Sequence, residues 1–177
     1  MQRIGIDARF FGPKDKGFGR YTENLIKELE KISNNDLQFF VFLKKQRFDD
    51  YVPQNPNFHK VLADYRWYGI KEQIFYPLKL KKYKLDLMHF THFNVPIFYR
   101  RKFIVTIHDL ILRYFPIRKG IKFWAYKIVF KHAIKNSTKI IAISENTKND
   151  ILKFYPAKGR VSPIIENKIQ VIYEGVS

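Results

Sequence analysis

The residues best suited to chemistry fall at the ends of short apolar runs. Asp7 and Arg9 follow Ile4-Gly5-Ile6, Thr91 and His92 follow Leu85 to Phe90, and His108 and Asp109 follow Phe103 to Ile107. Ser144 and Glu145 follow Ile140 to Ile143, and Glu174 follows Lys168 to Tyr173. Histidine, carboxylate and hydroxyl groups together supply proton exchange and hydrogen bonds to a polar ligand. Loops are solvated, so one polar residue at such a position says little. Two histidines and several carboxylates on one edge say more. The loop Gly12-Pro13-Lys14-Asp15-Lys16-Gly17-Phe18-Gly19-Arg20 joins the first apolar run to a helical stretch. There, free backbone N–H groups and the helix dipole favour a phosphate or another anion. Gly17 and Gly19 allow close backbone approach or a positive φ. The spacing is neither G-x-G-x-x-G nor a Walker loop, which disfavours a dinucleotide dehydrogenase and a P-loop enzyme. A plain structural turn is the competing reading.

The elements that must position these residues alternate along the chain. Arg3 to Asp7 reads as a strand, and Arg20 to Lys31 as an amphipathic helix with Tyr21, Leu25, Leu29 and Ile32 on its apolar face. Leu37 to Leu43 reads as a buried strand, and Phe58 to Leu62, after the turn signal Asn55-Pro56-Asn57, as a short one. Trp67 to Lys82 reads as a helix that Pro77 kinks or divides. Leu85 to Phe90, Phe103 to Ile107, Ile140 to Ile143 and Lys168 to Tyr173 have strand length. Gly120 to Asn136 and Thr147 to Tyr155 read as helices, the second stopped by Pro156. Strands apolar on both faces, alternating with helices, predict an α/β domain: a Rossmann-like, doubly wound parallel sheet with helices on both faces. Ligands of such sheets bind outside the carboxyl ends of the strands, where the polar residues above fall.

Composition bounds the classes. The chain has 177 residues, 46% of them hydrophobic and 17% aromatic, enough for one domain with a real core. It has no cysteine, so neither a disulfide framework nor a thiolate metal site is available, in keeping with a reducing cytoplasm. The strand-like run starts within three residues of Met1, and no signal peptide is expected. No apolar stretch approaches the roughly 18 residues of a membrane span. No closely spaced His/Asp/Glu cluster points to a metal.

Six short segments, in order, resemble GT4-type retaining glycosyltransferases. They are Ile4-Gly5-Ile6-Asp7-Ala8-Arg9, Gly17-Phe18-Gly19-Arg20-Tyr21 with Leu25 and Leu29, Asp86-Leu87-Met88-His89-Phe90 through Pro96, Thr106-Ile107-His108-Asp109-Leu110, Ile141-Ala142-Ile143-Ser144-Glu145 through Asp150, and Val171-Ile172-Tyr173-Glu174-Gly175-Val176. The resemblance spans residues 1–177 and covers the family's N-terminal, acceptor-side domain. It implies half of a GT-B fold, whose C-terminal donor-binding domain, with its paired-glutamate motif, has no counterpart here. It further implies transfer of a hexose from a nucleotide-diphosphate sugar to a glycan or lipid-linked acceptor, with retention and with no metal. By the same resemblance His108 and Asp109 are the catalytic candidates, and Gly17, Gly19, Arg20, His92 and Ser144 the donor- or acceptor-binding ones. Local capping is the competing role for Asp109 and for Ser144 or Thr147, since Thr147 to Asp150 matches a capping box. The missing half is expected in cis or in trans, and this chain alone is expected to transfer little or no sugar.

The net charge of +17 invites anionic lipid, anionic substrate or nucleic acid as a partner, and an AT-rich genome would also encode such a composition by drift. Lys119, Lys122, Lys127, Lys131 and Lys135 accompany Phe123, Trp124, Ile128 and Phe130, while Lys79, Lys81, Lys82 and Lys84 follow Trp67-Tyr68 and Phe75-Tyr76. That mixture suits an anionic membrane surface; aromatics turned to the core and solvated lysines are the competing reading. Nucleic-acid binding lacks a helix-turn-helix, RNP or zinc signature. A catalytically idle acceptor- or anion-binding module, or the remnant of a split gene, is a further alternative.

Overall fold

The apolar runs become the strands of one sheet. A computed structural model describes residues 1–32, 36–114, 120–156 and 162–175. Its strands are β1 (Gln2–Asp7), β2 (Leu37–Leu43), β3 (Phe58–Leu62), β4 (Leu87–Phe90), β5 (Phe103–Ile107), β6 (Lys139–Ala142) and β7 (Ile169–Val171). All pair in parallel, in the order β3-β2-β1-β4-β5-β6-β7. The helices are α1 (Lys16–Ile32), α2 (Ile70–Lys82), α3 (Ile111–Tyr114), α4 (Ile121–Asn136), α5 (Glu145–Phe154) and α6 (Pro163–Glu166).

The chain leaves β1 in one direction along the sheet and proceeds from β3 to β7 in the other. Right-handed crossovers then place α1 on one face and α2, α4 and α5 on the opposite one. The core divides accordingly. Ile26 of α1 packs with Ile6, Phe39, Val41 and Leu43. Tyr76 and Leu80 of α2, Phe130 and Ile134 of α4 and Ile151 of α5 pack with Phe42, Met88, Val105 and Ile140. The expected Rossmann-like, doubly wound architecture is present.

Several boundaries differ from the sequence reading. A 3-10 turn at Pro13–Asp15 brings the start of α1 forward to Lys16, so Gly17 and Gly19 lie in its first turn and not in a loop before it. The buried face of α1 is Gly19, Thr22 and Ile26, whereas Ile32 is exposed. Helix α2 begins at Ile70 because Trp67-Tyr68-Gly69 forms a turn, with Tyr68 at φ 58. It then runs unbroken through Pro77, held by Tyr76 and Leu80 in the core. Helix α5 starts two residues before Thr147, and Ser144 caps it by accepting from Thr147 N at 3.1 Å. Thr147 instead donates to the His108 carbonyl, and Asp150 accepts from the Tyr114 hydroxyl, so no capping box forms between them. Lys119 and Val176, and the side chain of Lys122, lie outside the described residues.

Candidate active site

Each strand hands its last residues to the carboxyl edge of the sheet, and there β4, β5 and β7 converge on one histidine. His108 follows β5 directly. Its Nε2 lies 2.8 Å from the Thr91 carbonyl beyond β4, and its Nδ1 lies 2.6 Å from Glu174 Oε1 beyond β7. A carbonyl can only accept, so Nε2 carries a proton and donates. With Nδ1 facing a carboxyl group, the ring is held at both nitrogens and cannot swing. The edges of Phe18 and Tyr21 close over it, each with its ring centroid 4.9 Å away.

Helix α1 supplies that cover. Gly12, at φ 81, turns the chain after β1, and its N–H donates to the Gly19 carbonyl at 3.0 Å. A Cβ on Gly19 would meet the Gly12 oxygen at 2.1 Å, so only glycine fits at that crossing. Gly17 differs, since a Cβ there meets nothing within 4 Å. The two glycines therefore separate in role: Gly19 makes the turn close, and Gly17 puts no side chain over the start of α1, where Lys16 N already donates to the Pro13 carbonyl. Arg20 is exposed one residue further on.

His92 lies beneath the same cover. Its ring is 6.4 Å from that of His108 and packs against Phe10, Phe18 and Phe93. Nδ1 accepts from Asn94 N at 3.3 Å. Burial, reinforced by the charge of His108 and then Arg9, pushes its pKa down to about 3, so the ring is neutral. His89, inside the sheet, is pushed to about 4 for the same first reason. Its Nε2 meets Thr106 Oγ1 at 2.8 Å, and Thr106 meets the Tyr21 hydroxyl at 3.1 Å. That pair anchors the α1 aromatic to β5.

The structure assigns local duties to the two residues whose capping was the alternative. Asp109 is exposed and its Oδ1 accepts from Ile111 N at 3.1 Å, which shapes the turn into α3. Ser144 caps α5. Both still sit at the carboxyl edge, beside His108.

Arg9 is not available to a ligand. Its side chain is 1% exposed and grips Asp7 through two bonds of 2.8 Å, while Nη1 meets Glu72 Oε1 of α2 at 2.5 Å. Asn94 Nδ2 also donates to Glu72 Oε1 at 2.6 Å, and Tyr68 N to Oε2 at 2.7 Å. Burial pushes the Glu72 carboxyl up, and Arg9 opposes it. This network joins the ends of β1 and β4 to the Tyr68 turn. Beside it Phe10 and Trp67 stack in parallel at 4.1 Å, with Lys44 Nζ 3.6 Å above the Trp67 ring. Phe18, Tyr21, Trp67 and Glu72 were missed in the sequence. For Phe18 and Tyr21 a signal existed, because aromatics in the first two turns of a helix after β1 overhang the strand ends.

A profile of the family described as Glycosyltransferase Family 4 matches residues 16–177. No curated protein matches the chain.

Proposed function

The chain belongs to glycosyltransferase family 4, and we propose that this domain is the acceptor-side half of a retaining hexosyltransferase of GT-B architecture. It would move a mannose- or glucose-like unit from a nucleotide-diphosphate sugar to a glycan or lipid-linked acceptor, in cell-envelope polysaccharide or glycolipid synthesis. A second domain, in cis or in trans, would hold the nucleotide.

The observation that carries this reading is the fixed His108 beside the open first turn of α1. A ring pinned by Thr91 and Glu174 presents a rigid wall against which sugar hydroxyls can be ordered. The N–H groups of Gly17 and Phe18, at the start of α1, would offer the departing diphosphate a positive dipole end, which lowers the barrier without a metal. Gly19 makes that turn, the exposed Arg20 would contact the anion, and His92, Asp109 and Ser144 complete the edge. His92 is neutral and serves as packing or as a hydrogen-bond donor through Nε2, not as a proton source.

The test is release of nucleoside diphosphate from UDP-glucose or GDP-mannose in the presence of a lipid-linked acceptor, together with amide shifts on adding millimolar UDP. The isolated chain is expected to release none, while the amides of Gly17 and Phe18 shift. Robust turnover by the isolated chain would refute the half-enzyme reading, and unmoved amides would remove the anion role of α1.

A further inference from the structure

The excess of positive charge is concentrated in one stretch of the chain. Residues 66–143 hold 17 Lys and Arg against three Asp and Glu, which accounts for nearly all of the net +17. This stretch contains α2 and α4, which share one face of the sheet. Of its three acids, Glu72 is buried with Arg9, Asp86 accepts from Arg3 N, and Asp109 shapes a turn.

The outward sides of both helices are apolar as well as basic. In α2, Glu72, Tyr76 and Leu80 face the core, so the opposite side carries Ile70, Ile74 and Leu78, all exposed, Ile70 by 80%. Lys71, Lys81 and Lys82 flank them, also exposed. In α4, Tyr126, Phe130 and Ala133 face the core. The opposite side carries Trp124 and Ile128, 64% and 55% exposed, in line with Lys131 and Lys135. Helix α1, on the other face of the sheet, follows the ordinary pattern for a solvated helix: its outward lysines Lys27 and Lys31 pair with Glu23 and Glu28. Among the described residues no carboxylate pairs with Lys71, Lys81, Lys82, Lys127, Lys131 or Lys135.

We propose that the α2–α4 face is a docking surface for an anionic lipid bilayer, with both helices lying in the plane of the headgroups. Charge complementarity favours this occupant over a protein partner, because each lysine near such a surface adds roughly 1 kcal/mol while the isoleucines and Trp124 enter the acyl boundary. None of the described helices is long and apolar enough to cross a membrane, so the attachment is to one leaflet. Both helices run antiparallel to the strands, which brings Ile70 and Trp124 to the carboxyl edge that holds His108. A lipid-linked acceptor would reach that edge from the same leaflet. The docking itself does not depend on the transfer chemistry.

Sedimentation with vesicles tests it, using phosphatidylcholine alone and phosphatidylcholine with 30% phosphatidylglycerol. The chain is expected to sediment with the anionic vesicles and not the neutral ones, and Trp124 emission, read in a Trp67→Phe background, should shift to the blue. Lys127→Gln/Lys131→Gln/Lys135→Gln should weaken binding at least tenfold, and Ile70→Glu with Ile128→Glu should abolish the shift of Trp124. Lys14→Gln/Lys27→Gln/Lys31→Gln removes as much charge elsewhere and should bind nearly as the parent does. Equal losses in the two lysine triples would overturn the proposal, as would tighter binding to duplex DNA than to anionic vesicles at the same salt, or no sedimentation at 50 mM salt.

Discussion

Glu174 reaches back over β6 from the end of β7 to place Oε1 2.6 Å from His108 Nδ1. The bond ties the last described segment of the chain to the centre of the carboxyl edge. Its carboxylate is about a third exposed, so water competes for it. Glu174→Ala should therefore cost only about 1 kcal/mol in urea unfolding. The larger effect should fall on His108, whose ring regains rotational freedom: sugar transfer by the two-domain assembly should drop at least tenfold. Unchanged transfer would show that the ring is oriented by Thr91 alone.

The buried network around Glu72 gives a stability prediction of another size. Glu72→Ala strands the Arg9 Nη1 donor and the Asn94 amide and removes the acceptor of Tyr68 N. Breaking one side of a buried ion pair typically costs about 3–5 kcal/mol. Denaturant unfolding should show that loss, together with increased proteolysis at the Trp67 to Gly69 turn. A loss below about 1 kcal/mol would mean that Asp7 alone satisfies Arg9.

Gly17 and Gly19 should respond with opposite signs. Gly19→Ala drives a methyl group against the Gly12 backbone oxygen, which cannot step aside, and should cost at least about 2 kcal/mol. Gly17→Ala meets open space inside a helix and should be neutral or stabilise by up to about 1 kcal/mol. In the transfer assay Gly17→Ala should nonetheless raise KM for the nucleotide sugar. Thermal melts of both variants decide the first point, and a KM equal to the parent's would sink the second.

Acid should loosen the domain in a defined window. His89 and His92 have folded pKa values near 4 and 3 against about 6.5 when unfolded. The unfolded chain therefore binds more protons between these values, and stability rises with pH there. The contribution is complete above pH 6.5 and falls away below it, by on the order of 3 kcal/mol for each histidine at pH 4. Urea midpoints measured from pH 7.5 to 4 should show the decline beginning near 6.5, and His92→Phe should make it shallower throughout. A flat profile to pH 4.5 would contradict the burial of both rings as neutral groups.

The sheet was legible because parallel strands covered on both faces read as continuous apolar runs, as Phe39 to Leu43 and Phe103 to Ile107 do. Helix starts were less so. Pro13 to Asp15 was read as loop, but the tight turn it forms lets α1 begin before Arg20. The Tyr68 turn left no signal, since a tyrosine at positive φ is set by Glu72 holding its N–H. At the site, His108 and Glu174 were both visible as strand ends, yet their pairing depends on β7 lying two strands from β5. Arg9 was the least readable, because its partner Glu72 stands 63 residues away and a strand-end arginine otherwise looks free for ligands.

The strand order has a consequence for how the chain is made. β1 sits between β2 and β4, so the βαβ unit of β1, α1 and β2 emerges from the ribosome with one side of β1 still bare. On that side the backbone of Ile4 to Asp7 waits for Leu87 to Phe90. At typical rates of synthesis the wait lasts on the order of seconds. During it the emerging chain exposes an open parallel edge of the kind that recruits other strands.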